Sequence, residues 1–367
     1  MINRYRSLLK NAIPLLLVGV LLVGIRPAMH TARYEAGLTM SPHIRQAPIG
    51  EFLGTAFVGG FRAVAVDIAW VRAMRLEREQ KWFELLTLVD LIANLQPRMI
   101  MVWKYNAWKM AYNITVAVDD PEEAWQWVKK GLEYLKKGSR RNPTSWEMPE
   151  TIAFFYYHRC GQIKDSRTSY YQKRLFEETG RTNWEHALEW MRAAVAVSSD
   201  IPPFNQNYIP LCLDRLARLA EEEGNLQKMR RLRLEALEEW RKIVKQYPSY
   251  EPGWQRIEDT GLRLDAYLLE EQARKLLPSD IEGWLKVAPK ITKIWERFLD
   301  IDPWDEETIR HLKTMARAYE ANAPVLFAVG KFSEAALSKE ESSRLWRLLA
   351  AKSGDEESAA KVRSLRE

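Results

Sequence analysis

Ala236-Leu-Glu-Glu-Trp240-Arg-Lys-Ile243-Val-Lys-Gln-Tyr-Pro248 sets a small residue ahead of apolar residues four and seven positions later, with a proline twelve positions on. Residues at i, i+4 and i+7 share one helix face, and a small first residue lets a neighbouring helix approach closely. The proline stops that helix and can open the next, where its missing N–H costs nothing. The same spacing returns in Leu85, Val89, Ile92 and Pro97, and again in Ile291, Trp295, Phe298 and Pro303. Ala124, Val128 and Gly131 fit the first places with Pro143 late, as do Ala187, Met191 and Ala194 with Pro202 late. Each occurrence predicts the second helix of a helical hairpin.

First helices placed ahead of these fall at about 62–79, 101–114, 149–160, 208–223 and 254–275. A final pair follows Asp302-Pro-Trp-Asp-Glu-Glu307, whose acidic residues suit a helix N-terminus. Ile163–Thr182, holding Tyr170 and Tyr171, reads as an extra helix inserted within one unit. β-Branched alternation is scarce. The fold class is therefore all-α: a right-handed α-solenoid of degenerate helical hairpins over 51–350, closed by a polar tail over 351–367.

Of 367 residues, 47% are hydrophobic, which excludes wholesale disorder. The net charge of +6 comes from 55 basic residues interleaved with 49 acidic ones, a salt-laced surface that argues against nucleic-acid binding. Fifteen tryptophans suit wide helix–helix interfaces. Cys160 and Cys212 form no CxxC or zinc ladder and are expected as free, buried thiols.

At the N-terminus, Arg4, Arg6 and Lys10 precede an uncharged run from Ala12 to Ile25, closed by Arg26. At 1.5 Å per residue the run spans roughly 21 Å, short of the ~30 Å of a hydrocarbon core. Adding Ser7–Lys10, with Lys10 and Arg26 snorkelling to opposite interfaces, completes one span. An uncleaved anchor over 1–26 is preferred, and a cleaved signal peptide is its rival. Both place the bulk of the chain outside the inner membrane, and an anchor keeps its basic end in the cytoplasm. Residues 27–50, with Pro27, Pro42 and Pro48, form a linker.

Three segments carry a family resemblance: Gly59-Gly-Phe-Arg-Ala-Val-Ala-Val-Asp-Ile-Ala-Trp70, Trp82-Phe-Glu-Leu-Leu through Leu95-Gln-Pro-Arg98, and Trp103-Lys-Tyr-Asn-Ala-Trp-Lys-Met-Ala-Tyr-Asn113. Together they resemble a group of bacterial membrane-anchored tetratricopeptide-repeat (TPR) proteins. The likeness is best over 50–160 and thins to TPR-like spacing beyond. It implies an exported repeat array behind one N-terminal transmembrane helix, facing the periplasm, and supplies no catalytic residues.

The residues themselves offer little chemistry. No phosphate-binding glycine loop, HExxH or GxSxG occurs, so no catalytic, cofactor or metal residue is assigned. His158 and Cys160, two apart, point to different helix faces and do not suit one metal. Asp300–Glu307 lacks the glycine and terminal glutamate of a calcium loop and is expected to cap a helix. Arg230-Arg-Leu-Arg233 is flanked by Glu221–Glu223, Glu235, Glu238 and Glu239, which predicts a solvated face.

The aromatic stretch Val102–Asn113 carries the sharper expectation. At 100° per residue, Trp103, Asn106, Ala107 and Met110 share a face, and Trp103, Ala107 and Met110 are assigned to the hairpin core. Tyr105, Trp108 and Tyr112 fall opposite, flanked by Lys104 and Lys109. They are either structural or, with Lys104, part of a peptide-binding groove. Asn106 and Asn113 are expected to bond neighbouring backbone ends.

The function expected is a non-catalytic, membrane-tethered scaffold for protein partners, with no cofactor, nucleic acid or small-molecule substrate. The alternatives are a structural subunit of a larger envelope complex and, third, an enzyme using a cleft between repeats.

Overall fold

The computed structural model describes residues 62–162, 167–277 and 279–365. The expected anchor over 1–26 and linker over 27–50 lie outside these residues. Among the described residues no helix is long and apolar enough to cross a membrane, and no strand occurs.

The chain divides into two compact units, 1–96 and 97–367. In the first, α1 (Arg62–Arg78) packs on α2 (Trp82–Leu95). The second begins with α3 (Ile100–Trp108, continuing as a π-helix over Lys109–Ile114), α4 (Pro121–Arg141), α5 (Glu147–Phe154, continuing as a π-helix over Phe155–Gln162), α6 (Thr168–Thr179) and α7 (Asn183–Val197). After a single turn, Pro203–Gln206, follow α8 (Tyr208–Glu222), α9 (Leu226–Gln246), α10 (Glu251–Leu276), α11 (Ile281–Ile301), α12 (Glu306–Ala328), α13 (Phe332–Lys352) and α14 (Glu356–Ser364). Each helix packs chiefly on its sequence neighbours, except that α5 pairs with α7 and α6 is the insertion between them. This is the order of stacked helical hairpins. First helices are α1, α3, α5, α8, α10 and α12; second helices are α2, α4, α7, α9, α11 and α13.

Local chemistry fixes the ends. Asp120 accepts from the N–H groups of Glu122 and Glu123 ahead of Pro121, Thr182 and Glu185 close a capping box on α7, and Asn225 and Asp280 cap α9 and α11. Asp355 caps α14, and Lys313 of α12 reaches both Asp355 and Glu357, tying that last helix down.

The spaced residues of the second helices are buried. Leu85, Val89 and Ile92 are so in α2, Ala124, Val128 and Gly131 in α4, and Ala187, Met191 and Ala194 in α7. Ala236, Trp240 and Ile243 are buried in α9, and Ile291, Trp295 and Phe298 in α11. The prolines are not core: Pro97 and Pro303 are half-buried and Pro248 is exposed. They sit in the turns, where two of them lend a carbonyl instead. Trp103 Nε1 donates to the Pro97 carbonyl and Trp254 Nε1 to the Pro248 carbonyl, each at 2.9 Å, tying the next first helix back to the turn it leaves.

Candidate binding surface

At Lys109 the helix α3 widens. The Lys109 N–H still bonds the Tyr105 and Asn106 carbonyls of the last α turn, and the π-helix runs from there to Ile114. The continuation of α5 widens in the same way and carries Arg159, whose side chain is buried. Arg159 Nε donates to the Ala111 carbonyl at 2.8 Å, and its terminal nitrogen to Thr115 Oγ1 and Tyr171 Oη. Wide turns of this kind are rare and concentrate at functional sites.

The widening also corrects the expected faces. A π turn advances fewer degrees per residue than an α turn, so positions from 109 onward depart from a 100° wheel. Trp103 and Ala107 are buried, but Met110 is half-buried. Lys109, expected on a flank, is buried with its Nζ 5.0 Å from the centre of the Tyr105 ring. Asn106 is buried and both its amide atoms lack a hydrogen-bond partner, contrary to the expected bond to a backbone end.

The predicted partner-binding residues separate into two sets. Trp108 remains 42% exposed and stacks on Tyr112, ring centres 4.1 Å apart and planes 15° from parallel. Behind them, Tyr112 Oη bonds His158 Nδ1 at 3.0 Å, and His158 stacks on Phe154 at 4.9 Å. Phe154 in turn lies 6.3 Å from Trp108 and 6.2 Å from Tyr208 of α8. Burial, and then the Arg159 charge, lower the His158 pKa, which favours the neutral ring. Lys104 pairs with Glu147 at 3.5 Å, and Tyr105 lies under Lys109 rather than in this ladder. Phe154 and Tyr208 carry no motif and come from two other helices, and His158, unsuited to a metal, is a groove residue whose Nδ1 is satisfied by Tyr112.

Farther along, α8–α12 share a largely buried ionic network. Glu307, at the start of α12, forms ion pairs with Arg218 Nε at 3.0 Å and Arg263 at 2.9 Å, and accepts a hydrogen bond from Arg233. Asp305 accepts from Arg218 at 3.1 Å and Arg263 at 3.0 Å. Asp305 occupies the N-cap position, yet its carboxylate makes no cap bond to the backbone; the expected capping role gives way to ion pairing. Arg233, expected on a solvated face, is buried. His311 bridges Glu221 through Nε2 and Glu270 through Nδ1, both at 2.8 Å. Burial alone would lower its pKa, but the two carboxylates outweigh burial and raise it to about 9. Tyr267 bonds Glu221 and Glu307.

Glu221, Glu307 and His311 bring ligand atoms within 4.8 Å of one another. They do not suit a divalent cation. Three guanidiniums surround Glu307, and both His311 nitrogens hold protons that a metal would have to displace. A cavity of about 100 Å³ adjoins Glu221, Tyr267, Glu270 and His311, well below the ~300 Å³ at which small-molecule sites begin. Cys160 and Cys212 are free and buried, and burial pushes the Cys160 thiol up to about 12, leaving it a poor nucleophile.

No protein-family model matches the chain, and no curated protein matches it in sequence. Among solved structures, the chain is similar to the human IFIT1 dimer with PPP-AAAA, at 19% identity over 74% of this chain and a TM-score of 0.24. It spans 53% of the length of that chain. It is also similar to a monomeric IFIT1 mutant with Gppp-AAAA (13% identity, 74% of this chain and 79% of that one, TM-score 0.22) and to the TPR domain of P58(IPK) (10% identity, 82% and 97%, TM-score 0.24). At these scores nothing about ligands or partners follows. The hairpin fold stands on the helix order and packing described above.

Proposed function

We propose that this chain is a non-catalytic, TPR-like scaffold that binds a protein partner on the first-helix side of α3 and α5, with Trp108 as the anchor. One observation carries the proposal. Trp108 is exposed while Tyr112, His158 and Phe154 fix it from behind by stacking and one hydrogen bond. A rigid exposed aromatic loses little entropy on binding, which makes it an energetic anchor at protein interfaces. Lys104 and Glu147 supply polar groups nearby. Toward α8–α12 the charged groups are already committed to their own ion pairs.

The apolar run Ala12–Ile25, between Lys10 and Arg26, supports a tether in a bacterial inner membrane with the array extracytoplasmic. Such a tether raises the local concentration of the binding surface. The ion cluster gives some support to the enzyme reading, since carboxylates and a histidine with a raised pKa converge beside a cavity. Against it, those groups are committed to one another.

A photo-crosslinking residue in place of Trp108, in the native cell, tests the proposal, with one in place of exposed Glu238 as control. The expected result is a discrete adduct at 108 alone, and loss of partner co-purification in Trp108→Ala with an unchanged melting temperature. Equal adducts at both positions, or full capture by Trp108→Ala, would refute it.

A further inference from the structure

The turn joining α12 to α13 exposes an apolar tip that the proposed partner surface does not use. From Ala321 to Gly330 the sequence carries no charge. Val325 is 47% exposed, Phe327 and Val329 each 63%, and Phe332 60%. Phe327 and Phe332 meet edge to face, ring centres 5.0 Å apart, across the turn. Gly330, at φ 81°, makes that turn tight enough to bring them together. Of the charges beside the tip, Lys331 is paired with Glu282, and Glu334 lies in the first turn of α13.

The size of this patch decides what can cover it. With about 150–250 Å² for a whole aromatic side chain, the four residues expose on the order of 400 Å². A stable protein interface needs about 800 Å² per partner, so a second protein copy seated here would be held weakly. The tip is also the end of a helical hairpin rather than a groove, so it offers an extended peptide no walls. A few apolar side chains, two of them aromatic, do suffice to enter the boundary between lipid headgroups and acyl chains.

We infer that the α12–α13 tip contacts lipid, with Phe327, Val329 and Phe332 immersed in the interfacial zone of a bilayer. Together with an N-terminal span it would give the array a second point of membrane contact and so fix its orientation to the surface. The inference rests on the tethered reading for its setting, and its test is separable from that reading.

The full chain allows selective labelling, because Cys160 and Cys212 are buried. Val329→Cys and, as control, Glu238→Cys carry an environment-sensitive fluorophore, and the chains are reconstituted with phosphatidylcholine–phosphatidylglycerol vesicles containing spin-labelled lipid. Quenching at 329 should exceed that at 238 by roughly two-fold or more, and Phe327→Ser with Phe332→Ser should bring it down to the control. Equal quenching at the two positions overturns the inference. So does a label shielded without vesicles and increasingly so with protein concentration, which would mean a second copy covers the tip. Vesicle flotation, read in the same samples, reports the tether: chains that float with an unquenched tip keep the tether and lose the lipid-contacting tip.

Discussion

His311 lies flat on Trp295, ring centres 4.2 Å apart and planes 6° from parallel, while its two nitrogens reach Glu221 of α8 and Glu270 of α10. Trp295 Nε1 shares the same Glu270 oxygen at 2.8 Å. One imidazolium therefore joins three successive first helices and rests on the second helix between them. Its pKa is raised to about 9 in the folded chain, above the ~6.5 of an unfolded histidine. A raised pKa means stability that is complete below about 6.5 and lost as pH rises through about 9. Between pH 6.5 and 8.5, below the range in which the buried thiols would titrate on unfolding, urea unfolding should weaken by on the order of 2 kcal/mol, and His311→Gln should remove that step. An unchanged pH profile in His311→Gln would show that the ring is not the titrating group.

Glu307 and Asp214 both lie close to Arg233, but they differ in what they have gained. Burial works against the Glu307 charge, yet Arg233, Arg263 and Arg218 outweigh it and hold the pKa far below the usual range. For Asp214 burial wins and the pKa is raised, the nearest guanidinium nitrogen of Arg233 being 3.9 Å away. Glu307→Gln should cost about 3–5 kcal/mol, because it leaves buried guanidiniums uncompensated. Asp214→Asn should change stability by less than about 1 kcal/mol. Denaturant midpoints of the two variants, compared at neutral pH, decide this; equal losses would place the network's weight elsewhere.

These two residues also show where the sequence stopped being legible. The second-helix pattern was readable because it is periodic and local: Ala236, Trp240 and Ile243 lie within two turns, and helix geometry alone puts them together. The expected first helices at 101–114 and 208–223 correspond to Ile100–Ile114 and Tyr208–Glu222 for the same reason. Arg233 looked like one charge of an exposed Arg-Arg-Leu-Arg run, since its partner Glu307 lies 74 residues on. The π turn at Lys109–Ile114 has no compositional signature, and it displaced Met110 from the core. Trp108 and Tyr112 could be nominated from one helix, but their contacts with His158 and Phe154 of another helix could not.

Gln80 occupies a backbone position that two glycines fill elsewhere. It has φ 55°, against 74° for Gly224 and 81° for Gly330. The surrounding bonds repeat: Lys81 N–H to Leu76, Asn225 N–H to Ala220 and Lys331 N–H to Leu326 close the three first helices alike. A side chain in this left-handed region costs about 1 kcal/mol relative to glycine. Gln80→Gly should therefore stabilise the α1–α2 hairpin by about that amount, and Gly224→Gln should destabilise α8–α9 similarly. Hydrogen exchange resolved by segment is the suitable measurement, since a repeat array need not unfold in one step. Slower exchange in α2 of Gln80→Gly is expected; faster exchange there would count against the comparison.

Gly138 and Gly261 are both interior to helices, and alanine should act oppositely at the two. Helix propensity alone favours alanine by about 1 kcal/mol at either site. At Gly261 of α10 an added Cβ would meet no atom within 4 Å, so Gly261→Ala should gain close to the full amount. At Gly138 of α4 the Cβ would lie 2.7 Å from Trp103 Cγ and 2.8 Å from its Cδ2. Met148 Cε, also at 2.7 Å, can swing away, but the indole cannot. Trp103 is buried, pinned by its bond to the Pro97 carbonyl and packed 4.9 Å from the Tyr134 ring. Overpacking against a fixed ring costs about 1–3 kcal/mol, which exceeds the propensity gain. Gly138→Ala should lower the melting temperature and shift tryptophan emission as the Trp103 ring is displaced. Equal stabilisation by both alanines would mean that α3 and α4 can part without cost, and that Trp103 does not set their separation.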